Sequence, residues 1–97
     1  MEAKNLRENN SALKRRYIET GIDNFISGKY NNGLLVGYLL SGEVENTIEG
    51  INKLLRKDNR ETEIIHKYSS NYHDQYFESK HMNSSILKHL MFDFTSS

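Results

Sequence analysis

Residues 33–41 read Gly33-Leu34-Leu35-Val36-Gly37-Tyr38-Leu39-Leu40-Ser41, the most apolar stretch of a 97-residue chain with a mean hydropathy of -0.74. Whether this run is helix or strand decides the fold. Proline is absent throughout, and on both sides of the run apolar residues recur at spacings of three and four, the period of a helix. Read in that company, 33–41 is a short helix that is apolar on every face. Such a helix has no polar side to turn to water, so it must be the centre of the fold or half of a dimer core. Leu34 to Leu40 would reach only about 10 Å as a helix, a third of the hydrocarbon core of a bilayer, so the run is too short to span one.

Working outward, Ser11 to Ser27 predicts a first helix with Leu13, Tyr17, Ile18, Ile22, Phe25 and Ile26 on one stripe. Residues 1–10 carry Leu6 as their only large apolar residue apart from Met1 and are expected to extend that helix or fray. After the central run, Ser41 is the expected N-cap of a helix to about Lys57 that buries Val44, Ile48, Ile51, Leu54 and Leu55. Asp58-Asn59-Arg60-Glu61 has the form of a capping box and is expected to open a further helix reaching Lys80. Ile86, Leu87, Leu90, Met91 and Phe94 would make a short last one. The expected fold is therefore all-α: one domain, an irregular bundle of four or five short helices around the central apolar one.

Composition narrows the function. A chain of this length holds one domain and leaves no room for a multidomain enzyme. There is no cysteine, hence no disulfide framework, no thiol nucleophile and no Cys-based metal site. Thirteen basic residues balance thirteen acidic ones, so neither nucleic acid nor an anionic membrane attracts the chain as a whole. No signal peptide is read in 1–16, and a cytoplasmic location is the expectation.

The residues able to do chemistry do not form a recognisable site. His66, His73, His81 and His89 lie seven, eight and eight positions apart, too far along one helix to share an ion. His73-Asp74 by itself is no phosphohydrolase motif. No serine sits in a Gly-x-Ser-x-Gly elbow, and no glycine pattern matches a phosphate cradle. Glu43, Glu45 and Glu49 suit the first turns of a helix. No cofactor, no metal and no enzymatic activity are expected.

What remains is binding surface. Tyr68, Tyr72 and Tyr76 recur every four residues beside Phe77 and form the candidate protein-binding stripe, with an aromatic core as its alternative. Leu34, Leu35 and Leu39 are the candidate self-association residues. Lys53, Arg56, Lys57 and Arg60 align as a basic helical stripe, the basis of a second reading as a nucleic-acid-binding regulator. Eleven Asn, eight Ile, eight Lys and six Tyr are what AT-rich codons supply, which points to a phage or mobile element. The sequence thus reads as a small non-enzymatic regulator or inhibitor that binds a host protein and forms homo-oligomers.

Overall fold

A computed structural model describes residues 2–27, 32–67, 76–81 and 85–95. It overturns the all-α expectation: the chain is an α/β fold built on a five-stranded mixed sheet. In chain order the elements are β1 (Glu2–Arg7), α1 (Ser11–Arg16), a π-helical segment (Tyr17–Ile22), α2 (Asp23–Ser27), β2 (Asn32–Ser41), α3 (Val44–Lys57), a 3-10 turn (Glu61–Glu63), β3 (His66–Lys67), β4 (Tyr76–Lys80) and β5 (Ile86–Asp93). The sheet order is β1-β2-β5-β4-β3. β1, β2 and β5 run parallel; β5, β4 and β3 are antiparallel.

The decisive run is β2, at the centre of the parallel part. As a strand it divides its apolar residues between two faces. Leu35 and Leu39 enter the core, 2% and 1% exposed, while Leu34, Val36, Tyr38 and Leu40 line the opposite face. A continuous apolar run is what a parallel strand covered on both sides looks like, and without alternation it reads equally as a buried helix. Gly37 favours the strand: a Cβ there would stand 2.5 Å from Met91 Sδ and 3.0 Å from Leu6 Cδ1, so the neighbouring strands' side chains close over it. In mid-helix the same glycine would be a liability.

Two helical expectations stand. The first run occupies 11–27, with Asn10 Oδ1 accepting from the Leu13 N–H as the actual N-cap. The third expected helix is α3, which buries Val44, Thr47, Ile48, Ile51, Asn52 and Leu55, with Leu54 partly buried and with Glu43 instead of Ser41 at its N-cap. The rest is corrected. Residues 2–7 pair with β2 as a strand instead of fraying. Asp58-Asn59-Arg60 ends α3 instead of starting a helix: Asn59 is left-handed at φ 61°, and the Arg60 N–H returns to the Leu55 carbonyl at 2.8 Å. Beyond it, the buried Asn52 amide binds both backbone groups of Ile65, at 2.8 and 3.0 Å, and holds that segment extended towards β3. The last expected helix is β5.

Both helical layers pack on one face of the sheet. The core cluster takes Leu6, Leu35, Leu39, Phe77, Leu87 and Met91 from the strands and meets Tyr17, Ile18, Ile22, Ile48, Ile51 and Leu55 from the helices. Gly21 lets the π-helical segment press on β2, since a Cβ there would lie 2.8 Å from Leu35 Cδ2. Among the described residues no helix is long and apolar enough to cross a membrane.

Candidate functional site

Beneath the helices, strands β4 and β5 carry polar side chains at positions that face the core. β4 presents Phe77 and then Ser79, with His81 just beyond; β5 presents Leu87, His89 and Met91. Ser79 is 1% exposed, His89 0% and His81 7%. Polar groups are tolerated at such depth only when hydrogen-bonded. Here they form one continuous chain. The Tyr17 hydroxyl meets His89 Nδ1 at 2.7 Å, His89 Nε2 meets Ser79 Oγ at 2.7 Å, Ser79 Oγ meets His81 Nε2 at 2.7 Å, and His81 Nδ1 meets Glu63 Oε1 at 2.7 Å. Arg60 closes the outer end, with Nε and Nη2 on the two Glu63 oxygens at 2.8 and 2.9 Å and Nη2 on Asp23 Oδ1 at 2.8 Å. Among the described residues no buried side-chain N or O lacks a partner.

Electrostatics sets the direction of these bonds. The Arg60 guanidinium hydrogen-bonded to Glu63 holds that carboxyl down at about 2, against the opposing effect of its partial burial. Glu63 is therefore ionised and can only accept. His81 must donate from Nδ1, which leaves its Nε2 to accept from the Ser79 hydroxyl. The Ser79 oxygen accepts from His89 Nε2, and His89 Nδ1 accepts from the Tyr17 hydroxyl. Burial pushes both imidazoles towards the neutral form, His89 down to about 3 with His81 nearby adding to the effect, and His81 below its usual range against the pull of Glu63. Burial also raises the Tyr17 phenol well above its ordinary value, so it keeps its proton.

Ser79, His81 and Glu63 stand in the order of a nucleophile, a base and the carboxylate that orients it. The surroundings argue against that chemistry. The Ser79 oxygen is flanked by two imidazoles and only 1% exposed, which leaves an electrophile no line of approach. The cluster holds the first helical run, the turn after α3 and two strands together.

The opposite face of the sheet has a different character. Leu34, Val36, Tyr38 and Leu40 of β2 lie beside Ile86, Leu90 and Phe92 of β5, and none of these seven belongs to the core cluster; the exposed Lys88 interrupts them, paired with Leu34 on one side and Glu78 on the other. Val36 is closed in by its neighbours at 2% exposure, but Leu34 is 38%, Phe92 37% and Phe94 62% exposed. Tyr38, Phe92 and Phe94 form an aromatic group with ring centroids 5.4 to 6.4 Å apart. Ala3 and Asn5 flank this face on β1, and Tyr76, Glu78 and Lys80 on β4.

The residues singled out from the sequence are scattered by this fold. Tyr68 and Tyr72 lie outside the described residues, as do His73 and Asp74. Tyr76 is half-buried on the apolar face, whereas Phe77, its neighbour on the strand, points the other way into the core at 3% exposure. Of the self-association leucines, Leu34 reaches the open face and Leu35 and Leu39 are interior. Lys53, Arg56 and Lys57 are exposed on α3, with Arg56 on Glu49 at 2.9 Å, but Arg60 lies past the helix end and is turned onto Glu63 and Asp23. Arg15 is paired with Asp58. His66 is exposed on β3, and among the described residues no three His, Asp or Glu converge as metal ligands. Sequence reasoning missed the Tyr17-to-Glu63 chain; the signal was a period of two in Phe77-Ser79-His81 and Leu87-His89-Met91.

No protein-family model matches the chain, and neither curated proteins nor solved structures include a significant match to it.

Proposed function

We propose that this protein is a non-enzymatic protein-binding module that works through the apolar face of its sheet, and that the occupant of that face is a second copy of the chain. The observation behind the reading is β2, a parallel strand apolar on both sides, one of which the helices among the described residues cover and the other of which they leave open. Parallel sheets are ordinarily covered on both faces, and contiguous exposed apolar surface marks an interaction site.

Three features favour a second copy. The chain carries no net charge at neutral pH, so two copies meet without long-range repulsion. A sheet face packs well on another sheet face at a separation of about 10 Å. At the usual strand spacing and rise, β1, β2, β5 and β4 span roughly 450 Å² of flat area per copy. Doubled, that approaches the lower limit of about 1,000 Å² for a specific interface, so the pair is reversible. Exchange of one copy for a target protein would make the module a regulator of that target.

Light scattering after size exclusion, over a wide range of loading concentrations, tests the reading. A concentration-dependent dimer is expected, and Phe94→Lys or Leu34→Lys should abolish it without altering the fold. A monomer at every concentration, or a dimer indifferent to both substitutions, would refute it.

A further inference from the structure

The buried hydrogen-bond chain has a property that goes beyond holding elements together. From Tyr17 to Glu63 it has four links, Tyr17–His89, His89–Ser79, Ser79–His81 and His81–Glu63. With Glu63 ionised and both imidazoles neutral it holds four protons, one each on Tyr17, His89, Ser79 and His81. Every link is filled once. A fifth proton has no link to occupy.

We infer that this chain is an acid-operated switch: a further proton taken up at His81 leaves one buried hydroxyl, that of Ser79 or of Tyr17, without an acceptor and loosens the first helical run from the sheet. Once His81 donates from both nitrogens, Ser79 can no longer donate to it. Either Ser79 then receives from both imidazoles and its own O–H is stranded, or Ser79 turns to His89 Nε2. In the second case His89 must carry its proton on Nδ1, and the Tyr17 O–H is stranded instead. Tyr17 is 0% exposed, so no water meets it. Tyr17 begins the π-helical segment, and its bond to His89 is what attaches that segment to β5 by polar contact.

The groups around the two histidines make His81 the point of entry. His81 faces Glu63 and Arg60 from the turn after α3, Asp23 from α2, Ser79 from β4, and the Phe25 ring edge-on with centroids 6.1 Å apart. His89 faces Tyr17, Ser79 and His81, without a carboxylate among them. α3 buries Val44, Thr47, Ile48, Ile51, Asn52 and Leu55, none of which titrates. A cation at His81 thus has Glu63 to receive it, whereas a cation at His89 meets no counter-charge among the described residues.

Nitrogen-15 NMR of the intact protein tests this directly. Near neutral pH His81 should carry its proton on Nδ1 and His89 on Nε2; the opposite tautomer at either residue overturns the inference. As pH falls through the His81 midpoint, amide exchange in 11–27, corrected for its intrinsic pH dependence, should accelerate while that of α3 does not. Tyr17→Phe removes one proton and one link, so the uncharged state already has an unpaired His89 nitrogen and protonation strands nothing new. Its His81 midpoint should rise by about one pH unit, a tenfold easier uptake. In a Ser79→Ala background, where the chain is cut, Tyr17→Phe should leave the midpoint unchanged. No shift with Ser79 present, or an equal shift in both backgrounds, rejects the switch.

Discussion

The Tyr17 hydroxyl donates to His89 Nδ1 at 2.7 Å across 72 positions of sequence, joining the first residue of the π-helical segment to the middle of β5. The two rings also stack, with centroids 5.7 Å apart and planes at 29°. Neither group is exposed, so each depends on the other for its hydrogen bond. Tyr17→Phe keeps the ring and leaves His89 Nδ1 unpaired. The expected loss is about 1–3 kcal/mol of stability, read as a lower denaturation midpoint in urea at unchanged slope.

Stability should climb with pH across the acid range. His89 is held down at about 3 and His81 below its usual value, against about 6.5 in an unfolded chain, so below pH 6.5 the unfolded state binds more protons than the folded one. The stability these histidines contribute is complete above pH 6.5 and falls as pH drops below it, for His89 down to about pH 3 and by up to about 1.4 kcal/mol per pH unit. Glu63, at about 2 against 4.5 unfolded, adds a loss of the same sign below pH 4.5. Urea titrations at pH 7, 5.5 and 4 check this; stability independent of pH over that range would contradict it.

Arg60 and Arg56 belong to the same basic stretch yet should respond differently to removal. The Arg60 side chain is 20% exposed and binds both oxygens of Glu63 as well as Asp23. Arg56 is 45% exposed and meets Glu49, itself 53% exposed. Arg60→Ala should destabilise by about 1.5–3 kcal/mol, the range for hydrogen bonds to charged groups. Arg56→Ala should fall within about 0.5 kcal/mol of the parent, as exposed ion pairs do. Thermal unfolding of the two variants side by side decides it.

Gly42 sits at φ +90° between β2 and α3, a conformation that side chains resist, and a Cβ there would come within 2.2 Å of Glu8 Cβ. Glu8 Oε1 meanwhile accepts from the Glu43 N–H at 2.8 Å and anchors the start of α3. Gly42→Ala should cost more than about 1 kcal/mol, measurable by calorimetry, whereas Gly50→Ala on α3 displaces only the end of the Lys14 side chain and should be mild.

Much of the helical half was legible in the residues themselves. The stripe of Tyr17, Ile18, Ile22 and Phe25, and that of Val44, Ile48, Ile51 and Leu55, have a spacing that one buried face requires, and both form helices where the spacing places them. The strands were hidden for two physical reasons. β2 is apolar on both faces, so no alternation exists to be seen. In β4 and β5 the alternation exists, but its inward positions include Ser79 and His89, which read as polar until Tyr17, His81 and Glu63 are brought around them.

By itself the sequence determined that the run 33–41 and the apolar stripes of 17–25 and 44–55 must be buried, that the charges cancel and that no cysteine chemistry is available. Only the tertiary structure decided that 33–41 is a strand, that Phe77 faces inward while Tyr76 faces outward, and that five polar residues from distant segments form one line of hydrogen bonds. The reason is that the tendency of an apolar side chain to leave water belongs to the single residue and can be read from the sequence. Hydrogen-bond partnership is a property of pairs, and for Tyr17 and His89 the pair exists only once the helix has been laid across the sheet.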